Sequence, residues 1–393
     1  MERKAAPPLK TEKARDSNTV AAPGDVTAAA KAVTARLVSL DAFRGFIMFW
    51  IVGGGSIARG LQALAHNRFI DTILYQLNHS AWEGLRFYDC IWPSFMLMVG
   101  VSIPFSYAKR SLTQTHQQML MHALRRFLIL MLLGAVRESV SLGSPRIIEL
   151  SSALQPIAVA YLVAFLLVRK SWRFQALVSA SILLGYLLLL ALIPVPGTGA
   201  ASYRPNANLV YAVDRALLGH RSGESVFLEG WGTILSAIPP ISTTIFGLLL
   251  GQLLKSHLTA KAKMKIIALT GLSGLALGHL ISLVVPVVMK MWTASYGILS
   301  ASWACLMFLL FYWIIDVLGY RKWAFLFVVI GMNALAVYMG NTVTRLPHIV
   351  RIFTRAPAEV MGPLGPLFAA VVFFAVEWSI LYWMYKKRLF LSA

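Results

Sequence analysis

An all-α polytopic membrane bundle of about ten crossing helices is what this sequence predicts, and three observations carry the prediction. Hydrophobic residues fill 58% of the 393 positions and charged residues only 13%, about half the ~25% usual in soluble domains. The apolar residues come in runs of roughly 20, the length a helix needs to cross a ~30 Å hydrocarbon core. The basic residues gather between alternate runs, as cytoplasmic loops do. With a mean hydropathy of +0.68, the chain cannot hide its apolar surface inside one soluble core.

Residues 1–35 are polar and rich in Ala and Pro, and seven Lys or Arg occur by Arg36. They read as a disordered cytoplasmic tail. No apolar stretch of the length a secretory signal needs precedes Leu37, so no cleavage is expected. Residues 36–390 form one integral domain. Its apolar segments fall near 40–58, 88–108, 120–140, 152–168, 174–193, 234–254, 265–286, 297–317, 323–343 and 366–385. With the N-terminus inside, 23 Lys and Arg lie on the inner side and 12 on the outer, leaving Arg44 near the inner end of the first helix. This asymmetry predicts both termini inside the cytoplasmic membrane, with an even number of crossings. The 194–233 loop and the loop carrying His79 are then external.

The net charge of +20 would suggest nucleic acid in a soluble protein. Here the cations are scattered between apolar runs and form no stripe, so no nucleic-acid partner is expected. Cys90 and Cys305 form no CxxC pattern or disulfide framework. There is no HExxH, P-loop, dinucleotide fingerprint or GxSxG, and no metal site is expected.

The densest chemistry lies at Gln76-Leu77-Asn78-His79-Ser80-Ala81-Trp82-Glu83-Gly84 and the following Phe87-Tyr88-Asp89-Cys90-Ile91-Trp92-Pro93. Plain anchoring needs none of these groups. A neutral imidazole can take a proton from an amine or attack an acyl donor itself. Either role for His79 needs a partner to fix its tautomer, and Asp89 is the nearest carboxylate on the same connection. Asn78 can polarise a carbonyl or orient a sugar. Trp82 can stack on a sugar or an adenine, or sit in the interfacial aromatic belt. Pro93 suits the first turn of a helix.

The first helix opens at Arg36-Leu37-Val38-Ser39-Leu40-Asp41-Ala42-Phe43-Arg44. Ser39 can cap it, and Asp41 suits the positive end of its dipole. Asp41 and Arg44 share a face, either as a charge-paired helix start or as a phosphate site with Arg44 as the anion contact. Further inside cations are Lys109, Arg110, Arg125 and Arg126. Gly53-Gly54-Gly55 permits unwound or closely approached backbone. Glu229, Lys290, Trp292, Asn333, Asn341 and Glu377 are polar or aromatic groups in or beside apolar segments, where each is informative. His279 is expected to face the bundle interior, and Pro239-Pro240 to weaken their helix.

The opening block Arg36 to Gly45 with Met48-Phe49-Trp50-Ile51 resembles the start of the transmembrane acyltransferase family that includes heparan-α-glucosaminide N-acetyltransferase and its bacterial relatives. His79-x-x-Trp82-x-Gly84-x-x-x-x-Asp89-x-x-x-Pro93-x-Phe95 looks like that family's active-site loop. Glu229-Gly230 with Leu235-Ser236-Ala237-Ile238-Pro239, then Lys290-Met291-Trp292-Thr293-Ala294-Ser295-Tyr296, Phe311-Tyr312-Trp313 and Gly331-Met332-Asn333-Ala334 follow in the family's order. The chain departs from the pattern in three places: Ile47 stands where bacterial relatives are expected to be acidic, Leu228 where Asp is common, and Ser151-Ser152-Ala153-Leu154-Gln155-Pro156 only loosely matches the family's Gly-Val-Leu-Gln-Arg block. The resemblance implies transfer of an acetyl group from cytoplasmic acetyl-CoA to an amino sugar or other envelope glycan. It puts the catalytic histidine at His79, with Asp89 and Asn78 beside it. Trp82, Glu229, Lys290, Trp292 and Asn333 are expected on the acceptor, and Asp41, Arg44, Arg125 and Arg126 on acetyl-CoA. Expected partners are the bilayer, acetyl-CoA, the glycan acceptor and a second copy of the chain. The competing expectation is a secondary transporter or a non-catalytic glycan-handling membrane protein, whose broken helices would place polar groups near the midplane.

Overall fold

The computed structural model describes residues 37–64, 67–143, 145, 150, 152–196, 199–218 and 233–391. The expected tail at 1–35, together with Leu228 and Glu229, lies outside the described residues. The helices are α1 (Val38–Gln62), α2 (Arg68–Leu77), α3 (Ile91–Arg110), α4 (His116–Leu142), α5 (Leu154–Leu167), α6 (Trp172–Leu192) and α7 (Leu209–Leu218). They continue as α8 (Pro239–Lys255), α9 (Ala260–Ser282), α10 (Ala294–Tyr312), α11 (Phe325–Met332), α12 (Ala334–Val343), α13 (Leu346–Val360) and α14 (Gly365–Lys386). A two-stranded hairpin, β1 (Tyr203–Arg204) with β2 (Ala207–Asn208), precedes α7.

Among the described residues, eight helices are long and apolar enough to cross a membrane: α1, α3, α4, α6, α8, α9, α10 and α14. This is the architecture of a multi-pass helical membrane protein. Two of the ten apolar segments depart from a straight crossing. α11 and α12 reach membrane length only as a pair, and a 70° bend separates them at Asn333. α5 has 14 residues, about 21 Å of rise, which falls short of the ~30 Å core.

Local chemistry starts and stops these helices. Thr115 and Gln118 close a reciprocal capping box on α4, and Gly143 (φ 66°) ends it. Ser171 caps α6 and Thr259 caps α9 through their side chains. The expected cap of α1 is corrected: the hydroxyl of Ser39 is buried without a partner. Asp316, on the π-helical turn after α10, accepts instead from the backbone N–H groups of Val38 and Ser39 at 3.3 and 3.1 Å. A carboxylate supplied from 277 residues away does what a local hydroxyl would have done. Pro239 and Pro240 do not weaken a helix but open α8, where no backbone donor is lost. The glycine triplet of α1 stays helical. Gly53 lies under the ring of Phe374, and Gly54 lies against that of Tyr88.

The centre of the bundle is the α3–α8 contact. A β-carbon at Gly100 would collide with the Thr244 carbonyl, one at Gly247 with that of Leu97, and one at Gly251 with that of Val101. The two backbones therefore touch, as small residues at four-residue spacing allow. The same device joins α1 to α11, where Gly45 meets the Phe327 carbonyl and Gly331 that of Asp41. Phe43, Ile47, Leu97, Val101 and Phe308 fill the core between α1, α3 and α10. Ile103, Ala123, Tyr161 and Ile245 fill the core between α3, α4, α5 and α8.

α9 buries only Ile267, Gly271 and Gly278, one stripe that faces α10. His279 lies off that stripe and is exposed, so the expectation that it faces the interior is corrected.

The glycine contact gives a direct test. Gly247→Leu should lower the thermal unfolding temperature in detergent, because overpacking typically costs about 1–3 kcal/mol. Gly185→Ala is the control. No atom lies within 4 Å of where its β-carbon would be, and Ala is the better helix former, so its Tm should hold or rise.

Candidate functional site

The site is assembled by one short connection. α2 ends at Leu77, and the side chain of Asn78 donates back to the Leu74 carbonyl at 2.8 Å. The chain then leaves helical geometry, passes His79, and pairs with a second loop: Gly84 N–H donates to the Val287 carbonyl at 2.8 Å, and Glu83 bridges Val288. Gly84 has φ +120°, a conformation glycine adopts without a side-chain penalty. One 3₁₀ turn over Tyr88–Cys90 leads into α3.

Asp89 sits on that turn with its side chain wholly buried. A buried carboxylate must be hydrogen-bonded, and the connection wraps around it to supply donors. Its Oδ1 is 2.8 Å from His79 Nδ1. Its Oδ2 accepts from Arg86 N–H at 2.9 Å, and Ser80 N–H reaches the carboxylate at 3.3 Å. The backbone carbonyl of Asp89 accepts from Tyr296 Oη on α10 at 2.7 Å. The ring of Tyr88 stands edge-on to the imidazole, 4.7 Å between centroids, and its hydroxyl donates to the Trp50 carbonyl at 3.2 Å. Arg86 donates to the His79 carbonyl at 2.9 Å and lies 4.0 Å over the ring of Tyr75.

His79 is therefore held at its backbone, its ring face and its Nδ1, while its side chain stays 41% exposed. A carboxylate at Nδ1 places the ring proton on that nitrogen and the lone pair on Nε2. This is the arrangement of an oriented base or nucleophile.

The other expected residues divide. Asn78 is beside His79 in sequence, but its amide caps its own helix. Trp82 donates to the Tyr203 carbonyl at 2.8 Å and packs with Tyr186, Val288 and Met291, which ties the loop to the β hairpin. Trp292 is 1% exposed, with its ring edge-on to Trp92 at 5.0 Å and to Tyr296 at 5.3 Å. It is a wall behind Asp89. Lys290 is half-buried two residues before Trp292. Nearby, Asp214 accepts from Thr233 and Ile234 N–H at 2.7 and 3.0 Å. Burial holds its carboxyl above the usual carboxylate range, and those backbone donors offset only part of the rise. Glu229 lies outside the described residues. Tyr88 and Tyr296 complete the site, and sequence reasoning did not single out either one. Tyr88 had a signal in its place next to Asp89. Tyr296 closes the Lys290 to Tyr296 block of the resemblance, but nothing in the sequence pointed to its bond with Asp89, 207 residues away.

A cavity of about 390 Å³ lies between α1, α3, α4, α5 and the α11–α12 bend. Arg44, Arg110, Arg126 and His122 line it, together with Tyr161 and Trp92. Arg44 donates to Ser102 Oγ at 2.8 Å and lies 3.8 Å from Asp41. The guanidinium of Arg126 stacks 4.3 Å over Tyr161, and its Nε is buried with no partner. Arg125 is exposed and does not line the cavity. Asn333 is wholly buried at the bend, between the lining residues Met332 and Ala334, and accepts from Leu391 N–H at 3.1 Å. The structure thus gathers Arg44 and Arg126 with Arg110 and His122, and separates Arg125 from them. His79 does not line this cavity. Trp92, which does, follows Asp89 by three residues.

No protein-family model matches the chain, and no curated protein matches its sequence.

Asp89 should matter to folding as well as to chemistry. Asp89→Ala leaves two backbone N–H groups and the imidazole without their acceptor, and each unsatisfied buried group costs about 1–3 kcal/mol. A clear fall in Tm is expected. His79→Ala, at a partly exposed side chain, should shift Tm far less. Equal shifts in the two variants, measured by thermal unfolding in detergent, would contradict this assignment.

Proposed function

We propose that this chain is a membrane acyltransferase of the cytoplasmic membrane, with both termini inside. It moves an acetyl group from cytoplasmic acetyl-CoA to an amino sugar or other envelope glycan. The observation that carries the reading is the His79–Asp89 pair at 2.8 Å, with Asp89 wholly buried and the imidazole partly open. The order of the sequence blocks, which resembles the transmembrane acyltransferases, supplies the reaction.

In direct transfer, His79 Nε2 takes the proton that the acceptor amine loses as its nitrogen bonds to the thioester carbonyl carbon. The C–S bond then breaks, and the proton passes to the departing thiolate. In the alternative route His79 Nε2 is itself the first nucleophile and CoA leaves as thiolate; the amine then takes the acetyl group, the C–N bond to the histidine breaks to restore neutral imidazole, and the amine's proton passes to the thiolate. Asp89 serves both routes by holding Nδ1–H and so fixing the orientation of the ring. Arg44, Arg110 and Arg126 suit the phosphates of CoA, since guanidinium groups match phosphate oxygens in geometry and charge. Tyr161, under the Arg126 guanidinium, and Trp92, three residues after Asp89, line the same cavity.

The secondary-transporter reading has its own support in the 70° break at Asn333 and in the pairing of half-buried Asn341 with buried Glu377. Intramembrane carboxylates commonly mark ion or proton paths. It predicts substrate movement without acetyl transfer.

The acyltransferase reading is tested by His79→Ala. Loss of a general base typically lowers the rate by 10²–10⁴-fold, and loss of an obligate acyl acceptor lowers it further. CoA binding should stay within about twofold of wild type, because the cationic cavity does not include His79. Labelled acetyl-CoA without acceptor separates the routes, since only the acyl-histidine route leaves label on wild-type protein. Wild-type transfer rates in His79→Ala would remove His79 from the reaction.

A further inference from the structure

We infer that the groove between α6 and α9 binds an anionic phospholipid, with an acyl chain along the groove and the headgroup at the end where both helices begin. The inference does not depend on the acetyl-transfer reading.

Two cavities, of about 730 and 410 Å³, lie between these helices over a floor of α8 and α10. They share Ala176, Phe246, Leu249 and Thr270, so they run into one another. Along α6 the lining extends from Trp172 to Leu187, about 22 Å at 1.5 Å per residue. One leaflet is about half of a ~30 Å core, so the groove is long enough for an extended acyl chain. α6 and α9 are also the two spans least covered by the rest of the bundle, which leaves the groove open to the bilayer.

The walls suit a hydrocarbon chain. Among the described residues, no charged side chain lines either cavity. Four serine hydroxyls on the walls are satisfied within the protein: Ser179 and Ser242 bond each other at 2.7 Å, Ser302 donates to the Ile298 carbonyl at 2.7 Å, and Ser256 donates to that of Leu253 at 2.7 Å. A chain lying there leaves none of these groups unpaired.

The two ends differ in charge. Where α6 and α9 begin, Arg169, Lys170, Arg173, Lys261 and Lys265 are exposed, and no Asp or Glu occurs in 165–180 or 252–270. Arg173 lies 5.5 Å over the ring of Trp172, which itself lines the groove. Lys263 donates to the Leu254 carbonyl at 2.7 Å and so ties α9 to the end of α8. The positive ends of two helix dipoles face the same mouth. The far end, at Leu187, Ile281 and Ile298, is apolar. An apolar slot with one cationic mouth selects a lipid with a negative headgroup over a zwitterionic one.

The test uses the purified full chain. Lipids retained through detergent exchange are identified by mass spectrometry, and Tm is measured with added phosphatidylglycerol or phosphatidylcholine. Phosphatidylglycerol should be retained preferentially, and it alone should raise Tm, because a ligand that binds only the folded state stabilises it. Each surface cation is worth about a factor of five toward anionic lipid. The triple replacement Arg173→Gln, Lys261→Gln and Lys265→Gln should therefore weaken phosphatidylglycerol binding on the order of a hundred-fold. Ala176→Phe, which fills the place where the cavities meet, should reduce retention with every cation intact. Equal retention of the two lipids by wild type would overturn the inference, as would wild-type binding by either variant. If a variant fails to fold, the wild-type comparison still decides.

Discussion

Everything around the candidate site depends on a carboxylate placed where water cannot reach it. Asp89 is held by His79, Arg86 N–H and Ser80 N–H, and its carbonyl is held by Tyr296. Hydrogen bonds to a charged acceptor are worth about 1.5–3 kcal/mol each, and burying the group without them would cost far more. The connection after α2 is therefore shaped by its anchor. Three of its groups turn inward to one side chain, and the imidazole is oriented as a consequence. Trp82 and Gly84 fix the outer turns of the same connection to the β hairpin and to the loop before α10.

The anchor stays in place because α3, which begins just after it, is packed against α8 at backbone distance. Glycines at 100, 247 and 251 make that approach possible, and those at 45 and 331 bring α1 and α11 together. These close contacts leave the remaining volume elsewhere. Part of it is the cavity that collects Arg44, Arg110 and Arg126, and part is the groove between α6 and α9. Small residues on one set of faces and cations at the helix ends thus place hollow space and charge together.

The helical class was legible because apolar runs of membrane length have few other stable forms, and each run meets a helix. The caps at Thr115, Ser171 and Thr259 follow from residue types next to the runs. The break at Asn333 was not legible as geometry: an Asn among apolar residues signals something polar but gives no angle. The start of α1 misled, because a local Ser39 was available while the actual acceptor, Asp316, comes from the far end of the chain. At the site, His79 and Asp89 are ten residues apart and could be paired from sequence. The roles of Trp292 and Tyr296 could not, since their burial depends on α10 crossing behind α3. The cations show the same limit. Neighbours Arg125 and Arg126 look alike in sequence, but consecutive helical residues point about 100° apart, and only Arg126 lines the cavity.

Acetyl transfer through the oriented histidine is the proposed reaction. The most direct measurement reconstitutes the wild-type chain in proteoliposomes, with labelled acetyl-CoA on the side of the termini and an amino sugar on the other. The account predicts that label appears on the sugar's amine only when the protein is present, and that it appears without mixing of the two compartments. Passage of the amino sugar or of CoA across the membrane with no label on any amine would contradict it.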